Sequence, residues 1–159
     1  MALAHDLAVT VSLASPEATA GCARAISELL VPGDTILLEG PIGAGKSHFC
    51  RAAIRQMLER EGREEDIPSP TFTLVQTYPD LAVPVAHADL YRLESAAEAE
   101  PLALDDWLLD GALLLEWPER LGNMIWPERL WLRLDGAGGP DRRLTWDAPP
   151  AWEGRWPAV

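Results

Sequence analysis

The chain has 159 residues, 48% of them apolar, which is enough for one domain core and too many for a disordered chain. Its formal charge is −12, from 25 acids against 13 bases, so a surface that neutralises nucleic-acid phosphates, and direct RNA binding by this chain alone, are not expected. No apolar run reaches the roughly 18–20 residues of a bilayer crossing, and the opening MALAHDLAVT lacks the basic and apolar regions of an export signal.

Leu7, Val9, Val11 and Leu13 alternate with smaller or polar residues, the period-2 pattern of a strand. Ser15-Pro16-Glu17 then supplies an N-cap, a first-position proline and an early acid for a helix carrying Cys22, Ile26 and Leu30, which Pro32-Gly33-Asp34 closes. Cys22 and Cys50 fit no metal-ligand spacing and read as buried thiols of a reducing, cytoplasmic environment. Thr35 to Glu39 is short and almost wholly apolar, as a strand buried on both faces should be. A glycine-rich loop follows, then a helix over about Lys46 to Arg60.

Glu61 to Asp66 reads as a solvated connector, Thr71 to Tyr78 and Val83 to Asp89 as strands, and Glu94 to Leu109 as mostly helical. Ala112 to Trp117 is another buried strand, and Leu130-Leu132-Leu134 with Leu144-Trp146 form two closing strands around a Gly136-to-Pro140 turn. Strands interleaved with helices predict a single α/β domain over 1–147, with a mostly parallel central sheet flanked by helices. The Pro/Trp-rich segment 148–159 is expected to form a loose tail or a strip packed on the surface. Trp117-Pro118-Glu119-Arg120-Leu121 returns as Trp126-Pro127-Glu128-Arg129-Leu130; two copies make no solenoid, and coincidence explains the echo.

Gly40-Pro41-Ile42-Gly43-Ala44-Gly45-Lys46-Ser47 matches GxxxxGK[ST] completely. Such glycines let backbone N–H groups wrap an anion, the following helix adds its dipole, and the lysine reaches the terminal phosphates. Ser47 offers a hard oxygen to Mg²⁺. Twelve of the 13 basic residues are arginine, and Lys46 is the one lysine. A shuffled chain would set that lysine in this frame at odds of roughly 0.05%, so the match is not compositional accident.

Phosphate chemistry also needs metal-side acids and a group that places the nucleophile. Glu116 ends an apolar strand in the usual form of a Walker B element, and Asp89 ends another. Ligands of open α/β sheets gather at the carboxyl ends of strands, so both carboxylates can face the phosphates; for Asp89 a helix-capping role would look the same. His87, two residues before Asp89, reads as a hydrogen-bonded core residue rather than a base. Pro68-Ser69-Pro70-Thr71-Phe72-Thr73 is a stiff, hydroxyl-bearing loop, either a plain turn or a nucleotide switch.

In order along the chain, GPIGAGKS, SPTFTLVQTY, HADLYRL and LLLEWPER closely resemble the bacterial TsaE (YjeE) family over about Ser15 to Arg143. The resemblance implies a small P-loop NTPase-like fold, ATP with Mg²⁺, and an ATPase in the pathway that installs threonylcarbamoyl on the adenosine beside the tRNA anticodon. It implies work with the TsaD and TsaB proteins, resetting the transferase between turnovers, with tRNA met only through that complex. Carried over by position, Gly43, Ala44, Gly45 and Lys46 cradle the phosphates, and Ser47 and Glu116 hold the metal. Thr71 and Asp89 face the γ-phosphate side, and with Glu116 they are the candidate catalytic residues. Trp117 lies beside the nucleotide, Ser15 falls near a nucleotide-contacting position, and Arg142 or Arg143 matches a late basic contact. Pro41, where relatives often carry an acid, and the tail after Trp146 depart from the pattern. A small-molecule kinase and a non-hydrolysing nucleotide-binding adaptor are the competing readings; the first lacks an Arg-rich lid insertion.

Overall fold

The computed structural model describes residues 9–122, 128–136 and 139–156. Leu7, Trp126 and Pro127 lie outside them, and with them the start of the first alternating run and the head of the second echo copy.

Seven strands form one sheet: β1 (Val9–Leu13), β2 (Thr35–Glu39), β3 (Val75–Tyr78), β4 (Val85–Asp89), β5 (Ala112–Glu116), β6 (Arg129–Asp135) and β7 (Arg142–Asp147). Their spatial order is β1-β7-β6-β2-β5-β4-β3. The central run β6-β2-β5-β4 is parallel throughout. The pairs β1–β7, β6–β7 and β3–β4 are antiparallel, so the sheet is mixed rather than mostly parallel. Connection length decides this: the short links β3–β4 and β6–β7 can only reverse the chain, whereas a parallel neighbour needs a crossover of a dozen residues or more.

Burial on both faces explains the continuously apolar central strands. Ile36, Leu38 and Leu114 point into one core beneath helices α1 (Pro16–Ser27) and α2 (Lys46–Arg60), which pack on each other. Leu37, Leu113 and Leu115 point into the other, closed by Leu90, Leu104 and Trp131. Ser15 caps α1 as its position predicts, its Oγ accepting from the Ala18 N–H at 3.1 Å. Cys22 and Cys50 are buried and free of disulfides, and burial pushes the Cys22 thiol up to about 12.

Two expected elements are much shorter than their patterns. The strand predicted from Thr71 starts at Val75, because the preceding residues turn and Leu74 adopts a φ of 71°. The predicted helix over Glu94–Leu109 is a 3-10 segment, Ala96–Leu102, followed by one turn α3 (Leu104–Trp107). Pro101 and the left-handed Ala103, at φ 50°, break it. Residues 148–156 form a packed strip: Trp152 is fully buried in the core beneath α1 and α2, and Trp156 meets Trp146 edge-on at 5.2 Å. Arg155 binds it down by pairing with Asp34 at 2.7 and 3.0 Å and lying 4.1 Å over the Trp152 ring.

Candidate functional site

The carboxyl ends of β2, β4 and β5 converge on one cleft of about 410 Å³. Strand register puts its acids side by side: Asp89 stands opposite Glu116, and Glu116 opposite Leu38. Residues 40–45 carry the chain from β2 to α2. At Gly40 the backbone passes so close to β6 that a Cβ would lie 2.3 Å from the Leu134 carbonyl oxygen. Gly43 and Gly45 have φ of 82° and 99°, while a Cβ on either would meet nothing within 4 Å; conformation, not space, demands glycine there. Gly45 is the N-cap of α2 and no side chain caps it, so the first-turn N–H groups of the helix remain available to an anion.

The loop is braced from behind by Arg142, at the start of β7. Its guanidinium donates to the carbonyls of Ala44 (2.9 Å) and Gly43 (3.0 Å), and to Gly136, Gly139 and Asp141. Five acceptors occupy this side chain, and it does not line the cleft. Ser15 does not line it either; the start of α1 meets a cleft-lining residue where the Pro16 carbonyl contacts the His48 ring at 3.0 Å.

Lys46 is buried, its ammonium donating to the carbonyls of Gly40 (2.5 Å) and Pro41 (2.9 Å) and lying 4.2 Å over the Trp117 ring. Burial lowers its pKa, against the opposing pull of the Glu116, Glu119 and Asp89 charges. Trp117 holds its place through a left-handed backbone (φ 61°), an N–H bond to the Leu38 carbonyl, and a tilted contact with Tyr91 at 4.8 Å.

Across the cleft, the Ser47 hydroxyl reaches both oxygens of Glu116, at 2.8 and 3.0 Å. His87, fully buried, meets Glu116 Oε2 at 2.6 Å through Nε2. Thr71 Oγ1 donates to Asp89 Oδ2 at 3.3 Å, and the Tyr91 N–H donates to Oδ1 at 3.0 Å. Burial raises the Asp89 carboxyl above the usual range, helped by the Glu116 charge and opposed by the Tyr91 N–H bond. A carboxylate and a hydroxyl in contact are the hard donor set that Mg²⁺ prefers, so these residues fit that ion.

Of the residues singled out from sequence, the cleft brings together Gly43, Gly45, Lys46, Ser47, Thr71, Asp89, Glu116 and Trp117. Ala44 is buried within the loop, and Ser15 and Arg142 support the site from outside. Ile42, His48 and Tyr91 also line the cleft and were not singled out. For Tyr91 a signal existed, since it falls inside the HADLYRL run two residues after Asp89.

Fold and site together define a single-domain α/β protein whose glycine-rich strand-to-helix loop faces a paired hydroxyl and carboxylate, an arrangement suited to a phosphorylated ligand. The family model "Threonylcarbamoyl adenosine biosynthesis protein TsaE" matches residues 13–144. The chain belongs to the TsaE family. It is similar to the tRNA threonylcarbamoyladenosine biosynthesis protein TsaE of Bacillus subtilis, at 35% identity over 84% of this chain and 82% of that one. The Rickettsia conorii protein of the same name is 36% identical over 78% of this chain and 69% of its own length. The crystal structure of Bacillus subtilis YdiB superposes with a TM-score of 0.71 at 28% identity, covering 88% of this chain and 84% of the other.

Proposed function

We propose that this chain is a Mg²⁺-dependent, P-loop NTPase-like ATPase of tRNA threonylcarbamoyladenosine biosynthesis. It acts in the cytoplasm beside TsaB and TsaD proteins and resets the transferase between turnovers, meeting tRNA only through that assembly. No described helix is long and apolar enough to cross a membrane. The carrying observation is the Ser47–Glu116 contact at 2.8 and 3.0 Å beside a complete GxxxxGKS loop, in a chain of the TsaE family.

The roles follow from chemistry. The uncapped start of α2, the loop backbone and Lys46 bind the phosphates; Arg142 acts on the nucleotide through the loop it braces. Ser47 and Glu116 hold the metal, which when bound neutralises phosphate charge and polarises the phosphoryl oxygen. Thr71 and Asp89 orient the attacking water, and the raised pKa of Asp89 makes its carboxylate a stronger proton acceptor than an exposed one. Ser15 contributes by setting the start of α1 against His48, and Trp117 borders the nucleotide. Residues 1–147 carry this activity, with 148–159 as a C-terminal segment outside it.

The test is phosphate release from Mg-ATP by the purified chain, alone and with TsaB and TsaD, with Lys46→Ala as control. Release that rises with the partners and disappears in the variant supports the reading. ATP bound without hydrolysis under both conditions would leave the adaptor in its place.

A further inference from the structure

Glu116 ends a strand, and its carboxyl can rotate unless something holds it. In this structure it has two holders. Ser47 touches both oxygens, and His87 meets Oε2 alone at 2.6 Å. The Ser47 hydroxyl is shared: its lone pair is what a cation would take, so it would have to serve the cation and the carboxylate at once.

His87 has no such second task. It is the middle residue of β4, 0% exposed, with its backbone in register with Leu114 on one side and Gln76 on the other. Its Nδ1 is buried without a hydrogen-bond partner. A hydrogen there would be stranded, whereas a bare lone pair costs less, so the ring hydrogen belongs on Nε2, aimed at Glu116. The neighbouring Cys50 thiol does not compete, because burial raises its pKa well above the ordinary value and keeps it neutral.

We infer that His87 is a positioning residue: it ties Oε2 of Glu116 and leaves Oε1 as the oxygen that faces the cation and the reacting phosphate. The inference rests on the Mg²⁺-dependent ATPase reading above and assigns His87 no proton transfer. Its analogues are the hydrogen-bond partners behind metal ligands, whose loss typically costs 10–100-fold in metal affinity or activity.

The test compares His87→Gln with His87→Asn in the full chain. The glutamine amide nitrogen reaches about where Nε2 sits, and the shorter asparagine falls short of Glu116. His87→Asn should lower Mg-ATP turnover with TsaB and TsaD roughly 10–100-fold while the ATP KM moves less than about threefold, and His87→Gln should recover most of the loss. Mn²⁺ binding to the ATP-bound chain, read by electron paramagnetic resonance, should weaken in the same order. Urea midpoints are measured alongside, since a merely structural role would impair both variants in proportion to lost stability. Equal impairment of the two, or full turnover and Mn²⁺ affinity in His87→Asn, overturns the inference. A wild type that releases no phosphate but binds Mn²⁺ overturns the ATPase reading alone, and the Mn²⁺ series still decides His87. A wild type that binds no Mn²⁺ overturns both.

Discussion

Glu116→Gln exchanges one carboxylate oxygen for NH₂ with almost no change of shape. The His87 Nε2–H needs an acceptor at 2.6 Å, so the amide oxygen takes the place of Oε2 and the NH₂ that of Oε1. Ser47, 2.8 Å from Oε1, can reverse its hydroxyl and accept. The network therefore stays satisfied, but charge-assisted bonds become neutral ones, a loss of about 1 kcal/mol each. Against this, a carboxylate only 2% exposed no longer has to be desolvated, a relief of the same order or larger. The two effects nearly cancel, and the melting temperature should move by no more than a few degrees, at about 2–4 °C per kcal/mol for a chain of this size. Turnover has no such compensation. An amide nitrogen now occupies the cation-side position, and losing one preorganised electrostatic group costs about 10²–10³-fold, or about 2.7–4 kcal/mol. Metal-free ATP should bind the variant at least as tightly as wild type, since a negative charge beside the phosphates is gone. Phosphate release at saturating Mg-ATP and nucleotide titrations with and without Mg²⁺ measure both halves. Normal turnover in Glu116→Gln, with turnover lost in Asp89→Asn, would show that the two strand ends have each other's roles.

Asp89→Asn should raise stability at neutral pH while reducing turnover. Burial raises the Asp89 pKa in the fold, so its contribution is complete below the unfolded value of 3.8 and declines as pH rises through the higher folded value. The melting-temperature gain of the variant should accordingly shrink as pH falls toward 3.8, and a gain independent of pH would rule out desolvation of the carboxylate as its cause. Trp152→Ala removes a fully buried indole and the surface under Arg155, and should cost about 3–5 kcal/mol in denaturant unfolding; a loss below about 1 kcal/mol would make the C-terminal strip a loose tail. Trp117→Phe should remove most of the fluorescence change caused by Mg-ATP, because nucleotide binding draws the Lys46 ammonium off the indole 4.2 Å away. Survival of that change would assign it to another tryptophan.

The glycine-rich loop and the strand-end acids were legible because their chemistry is local: GPIGAGKS is one contiguous turn, and each acid closes its own apolar strand. What pairs with what was not. Nothing in the spacing of Ser47, His87 and Glu116 says that they meet; that follows from β4 lying beside β5 with Asp89 opposite Glu116. Arg142 matched a late basic position, but its commitment to the carbonyls of Gly43 and Ala44 depends on β7 folding back along β6 toward the loop. The mixed sheet was half visible, since the Gly136–Pro140 turn already demanded a hairpin. The choice between a loose tail and a packed strip after Asp147 was not legible for a simple reason: proline and glycine hide the irregular backbone from periodicity, while the anchors are single indoles and one arginine whose partner, Asp34, lies 121 residues away.

How an acidic chain would hold a polyphosphate, as the proposed function requires, is decided inside the cleft. Most of the −12 charge lies on solvated side chains, and at physiological salt its field is screened within about 8 Å. The groups that matter are few: among the described residues lining the cleft Lys46 is the one Lys or Arg, with Glu116, Asp89 and Glu119 acting on it. That balance opposes a bare polyanion. It also explains why the cleft is internally satisfied as it stands, with Lys46 bonded to two loop carbonyls and Ser47 to Glu116. A bound nucleotide would have to displace the first pair and a cation the second, so each exchange alone would return little net energy. Together they do better. The cation offsets the acids that repel the phosphates, and the phosphates supply the oxygen ligands that two protein groups cannot. Nucleotide and metal are therefore expected to enter this site as one ligand, with the acids that make it hostile to ATP alone supplying its dependence on the cation.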